Sequence, residues 1–246
     1  MSKVTVRSYA EVAIPHLGRI LDANEETMKR LQKRLVADVI AGKSLLVFGS
    51  GHSGIFPMEV YHRAGGASFI VPIFADYLLP TAGPSVVRVL ERTPGVAQAI
   101  LRRSEPKAGE MIWISSQSGI NGAVVDLALS AKEMGLFVVA FTSRAHSSAV
   151  QSRHPSGKRL FEVADEVMDL GGQVGDACVE IAPTVSAGPL STLGSVFLGH
   201  SLLVSTLSEL EAKGHRVTYT SVNTPEGEKR NKAIEDQAQK RDPLLR

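Results

Sequence analysis

Short apolar segments alternate with longer, helix-like segments along most of the chain after Gly42. The strand-like segments are residues 44–49, 67–73, 111–115, 136–141, 166–170 and 178–182. The helix-like segments between them are residues 55–64, 86–103, 122–134 and 190–213. This alternation predicts an open parallel sheet with helices on both faces, because every parallel connection has to cross the sheet. Ligands of such sheets bind beyond the carboxyl ends of the strands.

A long amphipathic helix is predicted ahead of the first strand, over residues 9–41. Its apolar side chains recur at steps of three and four residues, at Leu17, Leu21, Met28, Leu31, Leu35 and Val39. Pro15 suits a first turn, so we expect the regular helix to begin near it and to end at Gly42. Such a helix covers the sheet or pairs with a second subunit.

The pattern divides the chain into three parts: an N-terminal helical segment (1–42), one main domain (43–222) and a charged C-terminal tail (223–246). We expect the tail to be a solvated helix or a frayed end. Within the main domain, residues 144–160 are rich in His, Ser, Pro and Gly, which predicts a long loop of the kind that often serves function.

Composition narrows the class of protein. The 246 residues carry a net charge of only +2, and their basic residues are scattered, which disfavours a nucleic-acid partner. No apolar run predicts a membrane span, and the first thirty residues lack the apolar region of a secretory signal. The single cysteine, Cys178, excludes a disulfide framework and is expected to be a buried apolar residue. We therefore expect a cytoplasmic protein without a membrane partner.

Two loops of small, hydroxylated residues follow two of the predicted strands directly, at residues 49–54 and 115–119. Each presents main-chain N–H groups and serine hydroxyls beyond a strand end, next to the start of a helix. An oxyanion such as phosphate suits these donors. The expected phosphate-binding residues are Gly51, Ser53, Gly54, Ser116, Ser118 and Gly119. The same serines can cap helices, and the two roles are compatible.

Residues 49–54 also satisfy the G-x-G-x-x-G pattern of dinucleotide sites, and Asp76 lies twenty-two residues after Gly54, where a ribose-binding acid is needed. The second serine loop is superfluous for a pyrophosphate that the first already holds. Pro72 also makes the following strand a poor match. The dinucleotide interpretation is therefore the less favoured one.

Glu59 is the candidate general base. It lies about one and a half turns into the helix that follows the first loop, and Arg63 lies four residues further on the same face. Arg63 can keep Glu59 ionised or stabilise a negatively charged intermediate. A purely structural ion pair between the two residues is the alternative.

Other polar residues lie near the predicted loops. His52 can donate to a phosphate or to another ligand oxygen, and Asn121 can cap a helix or bind a ligand hydroxyl. His154 and Lys158 can close over a ligand from the long loop, with Lys158 acting as a point charge, or can face solvent.

The loop motifs at residues 49–54 and 116–119 resemble the signature of SIS (sugar isomerase) phosphosugar-binding domains. The resemblance covers about residues 20–215. Further motifs at residues 59–66, 118–121, 154–158 and 175–177 resemble a bacterial branch similar to phosphoheptose isomerases. The resemblance implies a flavodoxin-like, three-layer αβα sandwich with a five-stranded parallel sheet. It also implies a sugar phosphate ligand and assembly as a homodimer or homotetramer.

The resemblance further implies an aldose–ketose isomerase, with Glu59 as base and His200 on a late helix opening the sugar ring. A buried structural role for His200 is the alternative. Phosphoheptose isomerases place a zinc-binding His and Glu where this chain has Glu59 and Arg63, so we predict no metal and no cofactor. Two other functions stay open: a non-catalytic sugar phosphate sensor, and a sugar phosphate lyase or deaminase.

Overall fold

A computed structural model describes residues 4–245 of the chain. The helices are α1 (Ser8–Ile40), α2 (Ile55–Val60), α3 (Pro84–Leu90), α4 (Gln98–Arg103), α5 (Gly122–Glu133), α6 (Arg144–Ser148), α7 (Leu160–Val163), α8 (Ser191–Ala212) and α9 (Pro225–Ala238). The strands are β1 (Leu45–Gly49), β2 (Ile70–Ile73), β3 (Met111–Ser115), β4 (Phe137–Thr142), β5 (Glu166–Asp169), β6 (Ala177–Ala182) and β7 (Val185–Pro189).

Five strands form one parallel sheet in the order β2-β1-β3-β4-β5. The chain moves outward from β1 to one edge, then crosses back to β3 and continues to the other edge. Strand order therefore reverses between β1 and β3, which is where such sheets bind ligands. The expected three-layer αβα sandwich and its long N-terminal helix are confirmed.

Both faces of the sheet are buried, which explains why its strands are continuously apolar. In β1, Leu45 and Val47 lie in a core with α1, α2 and α8, whereas Leu46 and Phe48 lie in a second core with α4 and α5. Successive side chains point to opposite faces of a strand, so each apolar run supplies both cores.

Helix α1 begins at Ser8 and runs through Pro15, so the expected start near Pro15 is wrong. Pro15 has no N–H group, so the carbonyl of Glu11, four residues earlier, has no helical hydrogen bond. Glu11 is an exposed residue, so water can replace that bond. The turns before Pro15 are held by tertiary contacts, because the Tyr9 hydroxyl donates to the carbonyl of Pro189 (2.6 Å). These contacts offset the missing bond.

Two predicted helices are shorter than expected. The segment 86–103 is divided into α3 and α4, because Pro94 disfavours a helical residue before it and Gly95 adopts φ +83°. The segment 55–64 is helical only to Val60, and His62 adopts φ +38°.

The predicted long loop, residues 144–160, contains the short helix α6. The Ser143 hydroxyl caps its first turn by accepting from the His146 N–H (3.1 Å).

The apolar segment 178–182 is a strand but does not join the parallel sheet. It lies in β6, which pairs with β7 in an antiparallel hairpin that the sequence did not predict. Cys178, at its start, is only partly buried and is a free thiol. Little of this hairpin is buried, so it lacks the continuous burial that identifies the sheet strands.

Helix α8 is long and apolar enough to cross a membrane by length and composition, and half of its most apolar window is buried in this fold. Core helices of soluble proteins have the same character. Gly199 lets α8 approach α2 closely, because a Cβ there would lie 2.5 Å from the Phe56 ring. The Phe56 ring in turn stacks on Trp113, with ring centroids 6.0 Å apart.

The C-terminal residues 223–245 form α9 and a short turn, and they are tied to the sheet by one buried ion pair. The Arg241 guanidinium donates to both oxygens of Glu110 (3.2 and 2.7 Å) and to the carbonyl of Ser104 (3.0 Å). Glu110 is fully buried and also accepts from the main-chain N–H groups of Ser44 and Lys107. This pair fixes the chain end below the amino ends of β1 and β3.

The turn after β1 needs glycine at its first position. The N–H of Ser53 donates to the carbonyl of Ser50 (3.1 Å), which bends the chain back toward the strand end. A Cβ on Gly49 would overlap the main-chain oxygen of Ser53. Gly18 offers the opposite case, because a Cβ there meets no other atom.

We expect Arg241→Met to lower the free energy of unfolding by about 3–5 kcal/mol, since it leaves the Glu110 carboxylate buried without a charge partner. Urea denaturation at pH 7 measures this. Lys232→Met, at an exposed position of α9, is the control and should change stability by no more than about 0.5 kcal/mol. Equal effects of the two substitutions would contradict the structural role of the pair.

Gly49→Ala should destabilise the protein by about 1–3 kcal/mol, because the turn has to open to admit the methyl group. Gly18→Ala is matched in chemistry and should stabilise α1 by about 0.5–1 kcal/mol. Thermal unfolding of both variants checks the opposite signs. A stable Gly49→Ala protein would show that the turn is looser than described.

Candidate functional site

The two serine loops lie side by side at one edge of the sheet. They follow β1 and β3, which are neighbours with Gly49 opposite Ser115 in the register. Both loops therefore leave the sheet at the same level, at the point where strand order reverses. Beyond them lies a cavity of about 450 Å³, a volume suited to a small ligand.

Four parts of the chain line this cavity, which we call the loop cavity. They are the first loop, the second loop, the residues of and around α3, and isolated residues from three later segments. The lining residues are Ser50, Gly51, His52, Ser53, Pro80, Pro84, Val87, Arg88, Glu91, Arg92, Ser116, Gln117, Ser118, Asn121, His146, Arg153, Asp176 and Ser191.

Most of the expected phosphate-binding residues line the loop cavity, namely Gly51, Ser53, Ser116 and Ser118, together with His52 and Asn121. Gly119 does not, and its N–H is already used, donating to the Ser116 hydroxyl (3.2 Å). Gly54 is also absent from the lining and lies against Leu79. The predicted binding by the amides of these two glycines is therefore not supported by their positions.

Glu91 is the principal cavity residue that sequence reasoning missed. Its carboxylate lies directly against the first loop, since a Cβ on Gly51 would be 2.6 Å from Glu91 Oε1. Burial raises the pKa of Glu91, which is opposed by a hydrogen bond from Ser50 and by the neighbouring positive charges, Arg92 first. No spacing in the sequence relates Glu91 to the loops, because α3 reaches them only through the fold.

The catalytic candidates Glu59 and His200 lie close together, with Arg63 beside Glu59, but outside the loop cavity. Glu59 Oε1 pairs with the Arg63 guanidinium and lies 3.4 Å from His200 Nε2. Burial lowers the pKa of His200, and the charge of Arg63 acts in the same direction. Ser191, on the same helix as His200, does line the cavity, and it lies nine positions before His200, which is about 13 Å along the helix.

The long segment 144–160 reaches the cavity through residues other than those predicted. His154 is nearly buried and bonds Asp126 (2.7 Å) and Ser156 (2.7 Å), which anchors the segment to α5. Lys158 is exposed and does not line the cavity. Arg153 does, and its guanidinium donates to Asn121 Oδ1 (2.8 Å). The expectation that His154 and Lys158 bind the ligand is thus not supported, and Arg153 occupies the cavity wall.

Asp176 has a structural task at the cavity wall. Its carboxylate accepts from the N–H groups of Leu190 and Ser191 (3.1 and 2.9 Å) and from the Ser191 hydroxyl (2.6 Å). These bonds fix the start of α8, which carries Ser191 to the cavity.

Residues 4–245 contain no group of three or more His, Cys, Asp or Glu side chains placed to hold a metal ion. Asp76, the acid that the dinucleotide interpretation requires, lies in a short turn after β2 and does not line the loop cavity. The arrangement offers instead neutral oxyanion donors and one carboxyl group of raised pKa. Together these can bind a phosphate and move a proton next to it.

Comparison with known proteins agrees with this geometry. The family model for the SIS domain matches residues 8–143. A UPF0309 protein of Shouchella clausii is 36% identical over 234 residues, covering 92% of this chain and 95% of that protein. One of Oceanobacillus iheyensis is 33% identical over 232 residues, covering 93% and 94%.

Among solved structures, the phosphoheptose isomerase GmhA of Neisseria gonorrhoeae shares the fold with a TM-score of 0.53 at 14% identity, covering 82% of this chain and 97% of its own. A phosphoheptose isomerase of Francisella tularensis has the same score and identity, covering 82% and 95%. At this identity the likeness concerns the fold. Taken with the two loops at the switch in strand order, these matches show that the chain belongs to the SIS domain family, and within it to the UPF0309 proteins.

Proposed function

We propose that this protein binds a sugar phosphate in the loop cavity and catalyses its aldose–ketose isomerisation. The observation that carries the proposal is the placement of Glu91 beside two oxyanion-binding loops in a single cavity. Isomerisation needs an anchored phosphate, a proton carrier and a stabilised enediolate, and these loops and this carboxyl group supply the first two. The fold shared with proteins named phosphoheptose isomerases agrees with this class of reaction.

The phosphate is held by neutral donors. Gly51, His52, Ser53, Ser116 and Ser118 line the cavity. The serine hydroxyls and the N–H groups of Gly51 and His52 supply the donors, since oxyanions accept hydrogen bonds from several donors at once. The distance from these loops to the carboxyl group is short enough for one small sugar to touch both.

Glu91 carries the proton between the two carbons. Its carboxylate removes the hydrogen on C2 of the open-chain aldose, and the electron pair passes through the enediolate. Glu91 then delivers a proton to C1, either the one it removed or one exchanged with solvent while the enediolate is bound. The hydroxyl proton of O2 moves to O1, so that aldose and ketose remain isomers. A pKa raised by burial suits this task, because a general base works best when its pKa approaches the operating pH.

We assign ring opening and proton movement between the oxygens to His52, which lines the cavity, rather than to His200. We likewise assign the role of general base to Glu91 rather than to Glu59, because Glu91 lines the cavity and Glu59 does not. Glu59, paired with Arg63 and near His200, then serves the contact between α2 and α8.

Deuterium incorporation tests the function directly. The protein is incubated in D₂O with phosphates of five- to seven-carbon aldoses and ketoses, and proton NMR follows exchange at C2 and formation of the isomer. Exchange with isomer formation is expected for at least one sugar. Binding without exchange would identify a non-catalytic sugar phosphate sensor, and loss of a substituent would identify a lyase or deaminase.

Glu91→Gln should lower kcat about 10²–10⁴-fold with little change in KM, because it removes proton transfer and preserves the shape of the site. Glu59→Gln is the matched control and should keep most of the activity. The reverse result, with Glu59→Gln inactive and Glu91→Gln active, would return the base role to Glu59.

In the wild type, kcat/KM should rise with pH through a pKa above the ordinary glutamate value of about 4.3, since burial favours the protonated form.

We also propose that the chain forms a homodimer or homotetramer through the exposed side of α8. An apolar groove there is lined by Leu17, Leu193, Val196, Phe197, His200, Ser201 and Val204, and Val204 is 63% exposed. An apolar surface of this kind is typical of an interface.

Val204→Glu should shift the protein to a smaller species in size-exclusion chromatography with light scattering, because it places a charge in the proposed interface. Val222→Glu changes an equally exposed valine outside the groove (65% exposed) and should leave the mass unchanged. A wild-type protein that is monomeric at micromolar concentration would refute the proposed assembly.

A further inference from the structure

Three arginine residues line the loop cavity in addition to the serine loops. Arg88 and Arg92 lie four residues apart, on α3 and just beyond its end, and Arg153 comes from the segment between α6 and α7. Residues four apart share one side of a helix, so Arg88 and Arg92 approach the cavity together. The cavity therefore carries positive charge in addition to the neutral donors proposed to bind the phosphate.

None of these three guanidinium groups has a carboxylate partner within 4.0 Å in residues 4–245. The arginines that form ion pairs in this part of the chain are Arg30, Arg34, Arg63, Arg159, Arg230 and Arg241. Arg153 donates only to the neutral Asn121 amide oxygen. Six other described arginines also have no ion pair, but none of them lines the loop cavity: Arg7, Arg19, Arg102, Arg103, Arg144 and Arg216.

The two acids of the cavity do not neutralise them. Asp176 uses both carboxylate oxygens at the start of α8. The Glu91 carboxylate lies against Gly51 of the first loop and accepts from Ser50, and it has no ion pair within 4.0 Å with Arg88, Arg92 or Arg153. Several positive groups around one small volume repel one another, and an anionic ligand group relieves that repulsion.

We propose that the sugar phosphate substrate carries a second anionic group, a carboxylate or a second phosphate, which Arg92 binds together with Arg88 or Arg153. This inference rests on the proposed function, because it takes the serine loops as the site of the first phosphate. Guanidinium groups bind both kinds of oxyanion through two parallel hydrogen bonds, so the same residues suit either source. The substrate class is then a doubly acidic sugar phosphate rather than a simple one.

Isothermal titration with matched ligands tests the inference. Glucitol 6-phosphate and 6-phosphogluconate are both open-chain and differ at C1, which carries a hydroxymethyl group in the first and a carboxylate in the second. Fructose 6-phosphate and fructose 1,6-bisphosphate provide the same comparison for a second phosphate. We expect at least one doubly acidic ligand to bind tenfold or more tightly than its partner, with a preference that falls as salt rises from 50 to 300 mM.

Arg88→Gln/Arg92→Gln should bring that preference ratio close to one. Arg102→Gln, at an exposed position of α4 outside the cavity, is the control and should keep it. Equal affinities within both wild-type pairs would overturn the inference and leave the proposed function standing. Failure of all four ligands to bind would also overturn the inference, while the deuterium test with five- to seven-carbon sugars decides the proposed function separately. An unchanged preference in the double variant would overturn the assignment to the arginines.

Discussion

The parallel pairing of β1 with β3 is the constraint on which the site depends. It brings strands about sixty residues apart in the chain into register, so that two loops of the same chemistry leave the sheet at neighbouring positions. Apolar burial on both faces of the sheet stabilises this pairing. The core therefore supplies the free energy that holds the polar donors of the two loops close together.

The sheet and its loops were predictable from sequence because their signals are local. A strand buried on both faces is a continuous apolar run, and the serine loops follow such runs directly. Helix ends were less predictable: the break between α3 and α4 follows from Pro94 and Gly95, whereas the passage of α1 through Pro15 depends on the distant contact between Tyr9 and Pro189. The strands β6 and β7 are not continuously buried, so the sequence contains no pattern that predicts their hairpin.

The site was predictable only where it belongs to the loops. Glu91 and Arg153 reach the cavity from α3 and from a segment anchored by His154, and only the packing of those elements on the sheet brings them there. The cluster of Glu59, Arg63 and His200 shows the converse. Helical spacing correctly predicted that Glu59 and Arg63 meet, whereas the approach of His200 to Glu59 was not predicted, and the distance along α8 separates all three from the cavity.

Helix α8 connects two surfaces that have so far been treated separately. Its first residue, Ser191, lines the loop cavity and is held there by its hydrogen bond to Asp176. Val204, thirteen residues later, lies in the apolar groove on the outer side of the helix. A helix of 22 residues moves largely as a rigid rod, so a displacement imposed at one end is felt at the other. In the proposed assembly, a ligand that shifts α8 would change the strength of subunit association, and association would change the affinity for the ligand by the same factor.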